Sequence, residues 1–271
     1  MRTFSKYIAL KLGVLEHFRM MRSAMKYWNE NKLFLKANPG FAPPPLNILF
    51  DILGKVSYRL YHEDGFHNAE LVARWIRELL GENKYAKICD WGCGPARIIK
   101  HLPAMLADMK PQLYGIDYNR DTIKWCQRNI SGVFFSANQL EPPLSFPENY
   151  FDFILARSVY THLSERMHKL WLNELLRVTK PEGFILITTH GNNFRQDLQE
   201  SEKNQYDQGK LVTVLDAKEG KRDFIAFHNP DYCRNVFLKD QEIVRHFSGD
   251  VWNGRTKQEV WIIRKPKFVS S

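Results

Sequence analysis

The stretch that decides the fold is Lys87-Ile-Cys-Asp-Trp-Gly-Cys-Gly-Pro-Ala-Arg97. It joins a short apolar run, typical of a buried strand, to an acidic residue and a turn with two glycines. Gly92 and Gly94 have no Cβ atom, so they can adopt positive φ angles and leave room for a ligand over the edge of a sheet. The run therefore predicts a strand, a tight turn and the start of a helix, in a geometry that fits a nucleoside-containing ligand.

A second apolar run follows, Leu113-Tyr-Gly-Ile-Asp117, and it ends in a carboxylate. Asp117 lies about 25 residues after Gly92, which is where a strand, turn, helix and second strand deliver an acceptor for the two hydroxyls of a ribose. A turn with two glycines alone is equally typical of a strand-to-helix connection without a ligand. The acid at this spacing favours a nucleoside site.

The third glycine position separates two kinds of nucleoside cofactor. Dinucleotide-binding turns follow G-x-G-x-x-G, and here Arg97 occupies the position of the last glycine. The stretch instead resembles motif I of the class I S-adenosylmethionine-dependent methyltransferases, usually written D-x-G-C-G-x-G-R. Ala96 stands where that family commonly has glycine. The resemblance implies S-adenosylmethionine as the cofactor.

The resemblance extends over most of residues 80–190. Residues 134–146 resemble the third strand and the loop that covers the adenine, and residues 150–156 resemble the fourth strand. The next segment, Ser158-Val-Tyr-Thr-His-Leu-Ser164, is similar to an S-V-F-T-H-L segment of a bacterial subgroup often associated with methylation of cell-surface glycans and small metabolites. Residues 175–187 close the match, with Glu182 where the family usually has glycine before the fifth strand.

The resemblance implies an α/β fold, a Rossmann-like sheet of seven strands with helices on both faces and an antiparallel seventh strand. We expect residues 1–80 to form a basic helix, a proline-rich linker and a helical cap, and residues 81–271 to form the cofactor-binding methyltransferase domain. Alternating patterns predict a β-hairpin inserted around residues 210–228. Residues 242–247 and 259–263 are expected to form the last two strands of the sheet.

Two helix-like stretches, 46–61 and 65–80, precede the first strand, and the segment 58–65 between them is dense in polar and aromatic residues. In the resembled family, segments just before motif I commonly close over the cofactor and contribute to the substrate pocket. Tyr61 and His62 are therefore pocket candidates, and ordinary surface positions are the alternative.

Composition limits the classes of protein. A chain of 271 residues with 44% hydrophobic residues suits one α/β core with additions. The sequence contains no apolar run near the roughly 20 residues of a membrane span, and Lys11 and Glu16 interrupt the N-terminal segment, which disfavours a cleavable signal peptide. We therefore expect a cytoplasmic protein. Cysteines without a paired C-x-x-C pattern give no reason to expect a metal or a disulfide framework; they are Cys89, Cys93, Cys126 and Cys233.

Positive charge is concentrated near the N-terminus. Residues 1–40 contain eight lysines and arginines against two glutamates, so they carry six of the nine net positive charges. This distribution disfavours a nucleic-acid substrate, whose phosphates need basic residues around the active site. The spacing of Phe4, Ile8, Leu12 and Leu15 predicts a helix. It would pack on the catalytic domain or a partner subunit, or bind an anionic membrane at its inner face. The oligomeric state stays open.

The resemblance implies a role for each candidate cofactor residue, with Gly92 and Gly94 forming the turn. Asp90 would engage the methionine ammonium and Asp117 the ribose, although a turn-stabilising carboxylate and a strand-end cap are the alternatives. Asn138 would recognise the amino edge of the adenine, and Tyr118 would stack on its ring. A plain loop asparagine and a core aromatic residue are the alternatives for these two.

Histidines supply the candidate bases. A sulfonium methyl group is already activated, so positioning dominates catalysis, but a hydroxyl acceptor must also lose a proton. His162, just after the fourth strand, is the first candidate for base or substrate ligand, and His190, at the end of the fifth strand, is the second. His228 and Tyr160 are further candidates for the substrate pocket.

Together these features predict an S-adenosylmethionine-dependent methyltransferase that acts on a small molecule or saccharide, at a hydroxyl oxygen. The first alternative is an NAD(P)-dependent oxidoreductase, which Arg97 and an antiparallel last strand disfavour. The second is a protein that binds the cofactor without catalysis, which the sequence alone leaves open.

Overall fold

The computed structural model describes residues 14–214, 218–249 and 258–267. The predicted helix positions Phe4, Ile8 and Leu12 lie outside the described residues. The α-helices are α1 Val14–Lys26, α2 Trp28–Ala37, α3 Leu46–Leu53, α4 Tyr58–Leu80, α5 Leu102–Met105, α6 Arg120–Asn129, α7 Glu165–Val178, α8 Glu200–Asp207 and α9 Pro230–Tyr232. Tighter 3₁₀ turns span Ile99–His101, Tyr160–His162 and Asn192–Asp197, and a π-type turn spans Cys233–Phe237.

Nine strands are present in the described part of the chain. They are β1 Lys87–Trp91, β2 Gln112–Asp117, β3 Phe134–Ala137, β4 Phe151–Ala156, β5 Thr179–Thr189, β6 Leu211–Val214, β7 Ile225–His228, β8 Glu242–Phe247 and β9 Glu259–Arg264. Seven form one sheet in the order β3-β2-β1-β4-β5-β9-β8, and β6 and β7 form a separate antiparallel pair. Strands β1 to β5 pair in parallel, whereas β9 is antiparallel to both β5 and β8.

This arrangement confirms the predicted fold class, a Rossmann-like seven-stranded sheet with an antiparallel strand 7, here β9. The inserted hairpin is β6 and β7, close to the predicted residues 210–228. The two final strands also lie where the sequence predicted them. The central parallel strands are rich in apolar residues because helices cover both faces of the sheet. Every residue of β4, for example, is buried.

Two apolar clusters fill the space between the sheet and its helices. One lies under α4 and α6 and includes Trp75, Ile76 and Ile123, and the other lies under α7 and includes Trp171 and Leu175. A third, smaller cluster joins α1, α3 and the start of α4. Among the described residues, no helix is long and apolar enough to cross a bilayer.

The segment 58–65, predicted to separate two helices, lies inside α4, so that prediction is wrong. The break comes earlier, where α3 ends at Gly54 in the left-handed region (φ 64°). Ser57 then caps α4, because its Oγ accepts a hydrogen bond from the N–H of Leu60 at 3.2 Å. Gly65 has a packing role instead: a Cβ atom there would lie 2.2 Å from the carbonyl oxygen of Arg97. The missing side chain lets α4 pack directly against the turn after β1.

Candidate functional site

The turn after β1 forms a tight elbow at the carboxyl edge of the sheet. Gly92 and Gly94 both have positive φ angles, 73° and 52°. The N–H groups of Gly92 and Cys93 donate to the carbonyl oxygen of Ile116 in β2, at 2.7 and 3.0 Å. A Cβ atom on Gly92 would lie 2.4 Å from Cγ2 of Val159. Backbone geometry and space thus both require glycine at position 92.

The two departures from the family pattern have the backbone conformation that glycine would favour. Ala96 has φ 57° and Glu182 has φ 64°. A side chain in this left-handed region costs roughly 1 to 2 kcal/mol, so both positions carry local strain. Tyr61 braces the elbow beside Ala96, because its buried hydroxyl donates to the carbonyl oxygen of Pro95 at 2.7 Å.

Asp117 lies at the end of β2 and contacts the elbow. Its two carboxylate oxygens accept hydrogen bonds from the N–H of Gly94 at 2.9 Å and of Asn119 at 2.8 Å. Burial raises the pKa of Asp117, and these two N–H groups oppose the rise. Each oxygen has a further lone pair, so the carboxylate can accept ribose hydroxyls without releasing the backbone.

Asp90 is 5% exposed at the end of β1. Burial raises its pKa to about 7; the charge of Arg157 opposes this rise and that of Asp117 adds to it. A buried carboxylate of this kind is stabilised by a cation that comes to lie beside it. The ammonium group of a methionine portion meets this requirement, so Asp90 fits the cofactor.

A cleft of about 120 Å³ opens beside the elbow. Gly92, Tyr118, Asn138 and His162, which come from four different connections, line it together. The buried Oδ1 of Asn138 has no hydrogen-bond partner within the protein. An acceptor atom left open in this way suits an adenine amino group. The cleft therefore offers groups that fit the adenosyl portion of S-adenosylmethionine.

His162 has a fixed orientation in this cleft. Its Nδ1 lies 2.7 Å from the carbonyl oxygen of Phe224. A carbonyl can only accept, so we assign the imidazole proton to Nδ1, which leaves Nε2 as a proton acceptor. Burial lowers the pKa of His162, and the hydrogen bond to Phe224 partly restores it. The ring is thus neutral near pH 7 and can accept a proton.

Residues 218–224 of the inserted hairpin lie against the cleft, where Gly220 is a lining residue, and we call them, together with helix α3, the cover. The hydroxyl of Tyr118 donates to the carbonyl oxygen of Gly220 at 2.8 Å, and the N–H of Gly220 donates to the carbonyl oxygen of His162 at 2.9 Å. Arg222 joins the two parts of the cover by donating to the carbonyl oxygen of Phe50 in α3 at 2.9 Å. The cover shields one side of the cleft from water.

Several predicted site residues do not line this cleft. His190 stacks on Phe194 with ring centroids 4.2 Å apart, and burial together with the nearby His162 lowers its pKa to about 4. His228 and Tyr160 are fully buried. The Nε2 atom of His228 lies 3.4 Å from Nε2 of His168, and the ring of Tyr160 packs 5.5 Å from that of Trp91. Both point into the core, because the backbone there turns their side chains away from the cleft.

Tyr61 and His62 line a second cleft, whose walls share no residue with the first. Conversely, sequence reasoning missed several residues of the first cleft, among them Trp91, Leu140, Val159, Trp171 and Gly220. Trp91 follows Asp90 directly, so its position at a strand end was a usable signal. Trp171 had no such signal: it reaches the cleft from α7, where its Nε1 donates to the carbonyl oxygen of Leu140 at 3.0 Å.

The centre of the chain matches a known family. Residues 89–187 match the family model described as a methyltransferase domain. This range begins within β1 and ends within β5, so it contains the elbow, Asp117, Asn138 and His162.

Solved structures share the fold. A methyltransferase described as dependent on S-adenosylmethionine, from Methanosarcina mazei, is 22% identical with a TM-score of 0.50, over 71% of this chain and 97% of that one. One from Aquifex aeolicus is 17% identical with a TM-score of 0.50, over 76% and 92%. The 1,6-didemethyltoxoflavin-N1-methyltransferase of Burkholderia thailandensis is 15% identical with a TM-score of 0.53, over 75% and 79%; that structure contains 1,6-didemethyltoxoflavin and S-adenosylhomocysteine.

The sheet order, the elbow and the family match define a methyltransferase domain at residues 89–187. The protein is an enzyme, an S-adenosylmethionine-dependent methyltransferase. The antiparallel β9 and the family match both disagree with the alternative of an NAD(P)-dependent oxidoreductase.

Proposed function

We propose that this enzyme methylates a hydroxyl oxygen of a small molecule or saccharide, with His162 as the general base. The supporting observation is the orientation of His162. Its Nδ1–H is held by the carbonyl oxygen of Phe224 at 2.7 Å, and the ring lines the same cleft as Gly92 and Asn138. A neutral imidazole with a free Nε2 is the arrangement that removes a proton from a hydroxyl group.

The cofactor would be held by residues from three strand ends. We assign the methionine ammonium to Asp90 and the ribose hydroxyls to Asp117, two residues that are 5% and 8% exposed. The adenine would be held by Asn138 and by the ring of Tyr118. When bound, S-adenosylmethionine supplies an electrophilic methyl group on its sulfonium. Gly92 and Gly94 keep the elbow flat enough for this approach.

His162 would act by moving one proton. Its Nε2 accepts the hydroxyl proton of the acceptor, while Nδ1–H stays on the carbonyl oxygen of Phe224 and keeps the ring in place. The cover excludes water through the hydrogen bonds of Gly220 with Tyr118 and His162. Exclusion of water favours orientation of the acceptor oxygen, which is the main contribution an enzyme makes to this displacement.

The walls of the cleft support a small acceptor with a ring or apolar face. The rings of Trp91 and Trp171 lie 4.6 Å apart and both line the cleft, together with the hydroxyl-bearing Ser158. Flat aromatic walls with a few polar groups are suited to sugars and to small cyclic metabolites. The Burkholderia thailandensis enzyme, which has the same fold, contains a small molecule beside S-adenosylhomocysteine. We extend that acceptor class to this chain.

We also propose that residues 1–80 form a cap and residues 81–271 the catalytic domain. The apolar cluster of Leu49, Phe50, Val56 and Tyr61 is separate from the two clusters on the sheet. Tyr61 joins the cap to the elbow through Pro95.

A substitution of His162 tests the proposal. We expect His162→Ala to lower turnover roughly a hundredfold or more, with an affinity for S-adenosylhomocysteine close to wild type. The assay would follow transfer of a labelled methyl group to panels of saccharides, hydroxylated metabolites and amines. His67→Ala is the matched control, because His67 is exposed on α4 and pairs with Glu70 at 3.2 Å.

Two outcomes would overturn the proposal. Wild-type turnover in His162→Ala would remove the base, and methyl transfer confined to the amine panel would remove the hydroxyl acceptor. Calorimetry with S-adenosylhomocysteine on each variant shows whether a loss of turnover comes from lost cofactor binding instead.

A further inference from the structure

A second cleft lies away from the elbow, on the side of the sheet covered by α4 and α6. Its volume is about 420 Å³, which is within the range of small-ligand sites, roughly 300 to 1,000 Å³. The linker after α2 forms one wall through Phe41, and Trp125 of α6 forms another. No residue is shared with the walls of the first cleft.

Lys100 lines this second cleft. The Nζ atom of Lys100 is 3.8 Å from the centroid of the Tyr61 ring and 5.2 Å from that of Phe41. Within the described ranges, Lys100 forms no ion pair, and no Asp or Glu lines the cleft. Burial and the charge of Arg97 lower its pKa to about 7. A buried ammonium without an acidic partner is costly, and an anion in the cleft would stabilise it.

Two histidines with unsatisfied ring nitrogens lie beside Lys100. The rings of His62 and His101 are 5.3 Å apart. Nδ1 of His62 and Nε2 of His101 are buried and have no hydrogen-bond partner within the protein. Buried polar atoms are nearly always hydrogen-bonded in native proteins. Two unsatisfied imidazole nitrogens and a lysine whose Nζ contacts only aromatic rings among the residues that the structure describes point to a ligand that supplies oxygen atoms.

We propose that this second cleft binds a small organic oxyanion, a carboxylate or a phosphate ester, with its negative charge at Lys100 and its carbon skeleton against Trp125. The ammonium donates to the oxyanion, and the imidazoles of His62 and His101 can each donate one N–H or accept one from the ligand. This site is distinct from that of the acceptor proposed above, because the two clefts share no lining residue.

Calorimetry on the full chain tests the site, with inorganic phosphate and acetate as separate probes. We expect at least one probe to bind saturably, and its affinity to fall at least about tenfold in Lys100→Gln, because a charge-assisted hydrogen bond is lost. The matched control is Lys124→Gln, which removes an equal charge from α6 at an exposed lysine outside the cleft. Its affinity should stay within about twofold of wild type. The probe that binds identifies the headgroup.

Absence of saturable binding for both probes would overturn the proposal, as would equal weakening by the two substitutions. A second measurement covers the case in which Lys100→Gln does not fold. Nuclear magnetic resonance of the histidine rings in the wild-type chain should show shifts of His62 and His101 on titration, with the exposed His67 unchanged. Shifts confined to other histidines would locate the anion elsewhere and overturn the site.

Discussion

The seven-stranded sheet and the cover over its cleft are held in different ways. The sheet lies between two large apolar clusters, and residues such as Phe153, Leu186 and Trp261 are almost completely buried. The hairpin part of the cover, residues 218–224, has one buried side chain, Phe224, and is otherwise held to the cleft by hydrogen bonds, chiefly those of Gly220 with Tyr118 and His162.

The two kinds of contact contribute different amounts of free energy to stability. A buried large side chain contributes about 1.5 to 3 kcal/mol, whereas a hydrogen bond contributes a net of about 0.5 to 1.5 kcal/mol. The sheet and its clusters therefore contribute most of the stability of the molecule, and residues 218–224 of the cover can open without unfolding it. Substitutions in the sheet should change the free energy of unfolding, and substitutions in the cover should change ligand exchange.

The largest effect is expected from Trp261→Ala in β9. Trp261 is fully buried, its Nε1 donates to Oγ1 of Thr189 at 3.0 Å, and its ring stacks on His246 at 3.7 Å. We expect the free energy of unfolding to fall by about 3 to 5 kcal/mol, measured by urea denaturation. Trp28→Ala is the control, because Trp28 is 68% exposed, and should change it by less than about 0.5 kcal/mol. Equal effects would contradict a sheet-centred stability.

The next effect concerns the elbow, where we propose that the cofactor binds. Gly92→Ala should lower the affinity for S-adenosylhomocysteine by at least about tenfold, because the new methyl group adds left-handed strain and meets Val159 at 2.4 Å. Gly209→Ala isolates the strain, since Gly209 has φ 73°, the same as Gly92, and its Cβ would lie in ordinary contact, 3.7 Å from Cβ of Asp231. It should lower stability by about 1 to 2 kcal/mol and leave the affinity unchanged. Calorimetry measures both, and equal loss of affinity would contradict the steric account.

Asp90 provides a pH-dependent test. Its pKa is raised to about 7 in the folded chain by burial, from 3.8, so its contribution to stability is complete below pH 4 and is lost as pH rises to about 7. Asp90→Asn removes this loss. Without ligand, the variant should therefore match wild type near pH 3.5 and be more stable at pH 8 by up to about 4 kcal/mol. Parallel profiles of unfolding free energy against pH would show that Asp90 is ionised in both states.

The smallest effect is expected in the cover. Tyr118→Phe removes the hydrogen bond to Gly220 at 2.8 Å and keeps the ring, so the cover should be weaker by about 0.5 to 1.5 kcal/mol. We expect S-adenosylhomocysteine to dissociate several-fold faster in stopped-flow fluorescence, with the free energy of unfolding unchanged. Tyr85→Phe, at an exposed tyrosine, is the control. If Tyr118→Phe lowered the free energy of unfolding without faster dissociation, the cover would unfold together with the sheet, and the prediction would be wrong.

Most of the sheet could be predicted because its signals are local. The run 87–97 contains the signals for a strand and a turn in consecutive residues. The last two strands are short runs rich in β-branched and aromatic residues, and their bounds were predicted within a residue. The prediction was wrong at 58–65, where a stretch dense in polar and aromatic residues was expected to separate two helices. Glycine is needed at position 65 because of a contact distant in sequence: without a Cβ atom, Gly65 leaves room for the backbone of Arg97.

The site was predictable where its residues follow strand ends. Tyr118, Asn138 and His162 do so, and they line one cleft. Tyr160 precedes His162 by only two residues, yet it is fully buried. The direction of a side chain in a 3₁₀ turn depends on packing rather than on spacing. Gly220 reaches the cleft because the hairpin folds back over it. No local sequence pattern predicts this long-range contact.

The position of β9 between β5 and β8 has a consequence for synthesis on the ribosome. Residues 242–247 of β8 leave the exit tunnel before residues 259–264 of β9, yet β8 pairs in the described sheet with β9 alone. Until β9 emerges, the nascent chain therefore exposes one edge of β5 and an unpaired β8. Exposed strand edges of this kind attract other chains, so the nascent chain is prone to aggregate until β9 has emerged and paired with β5 and β8.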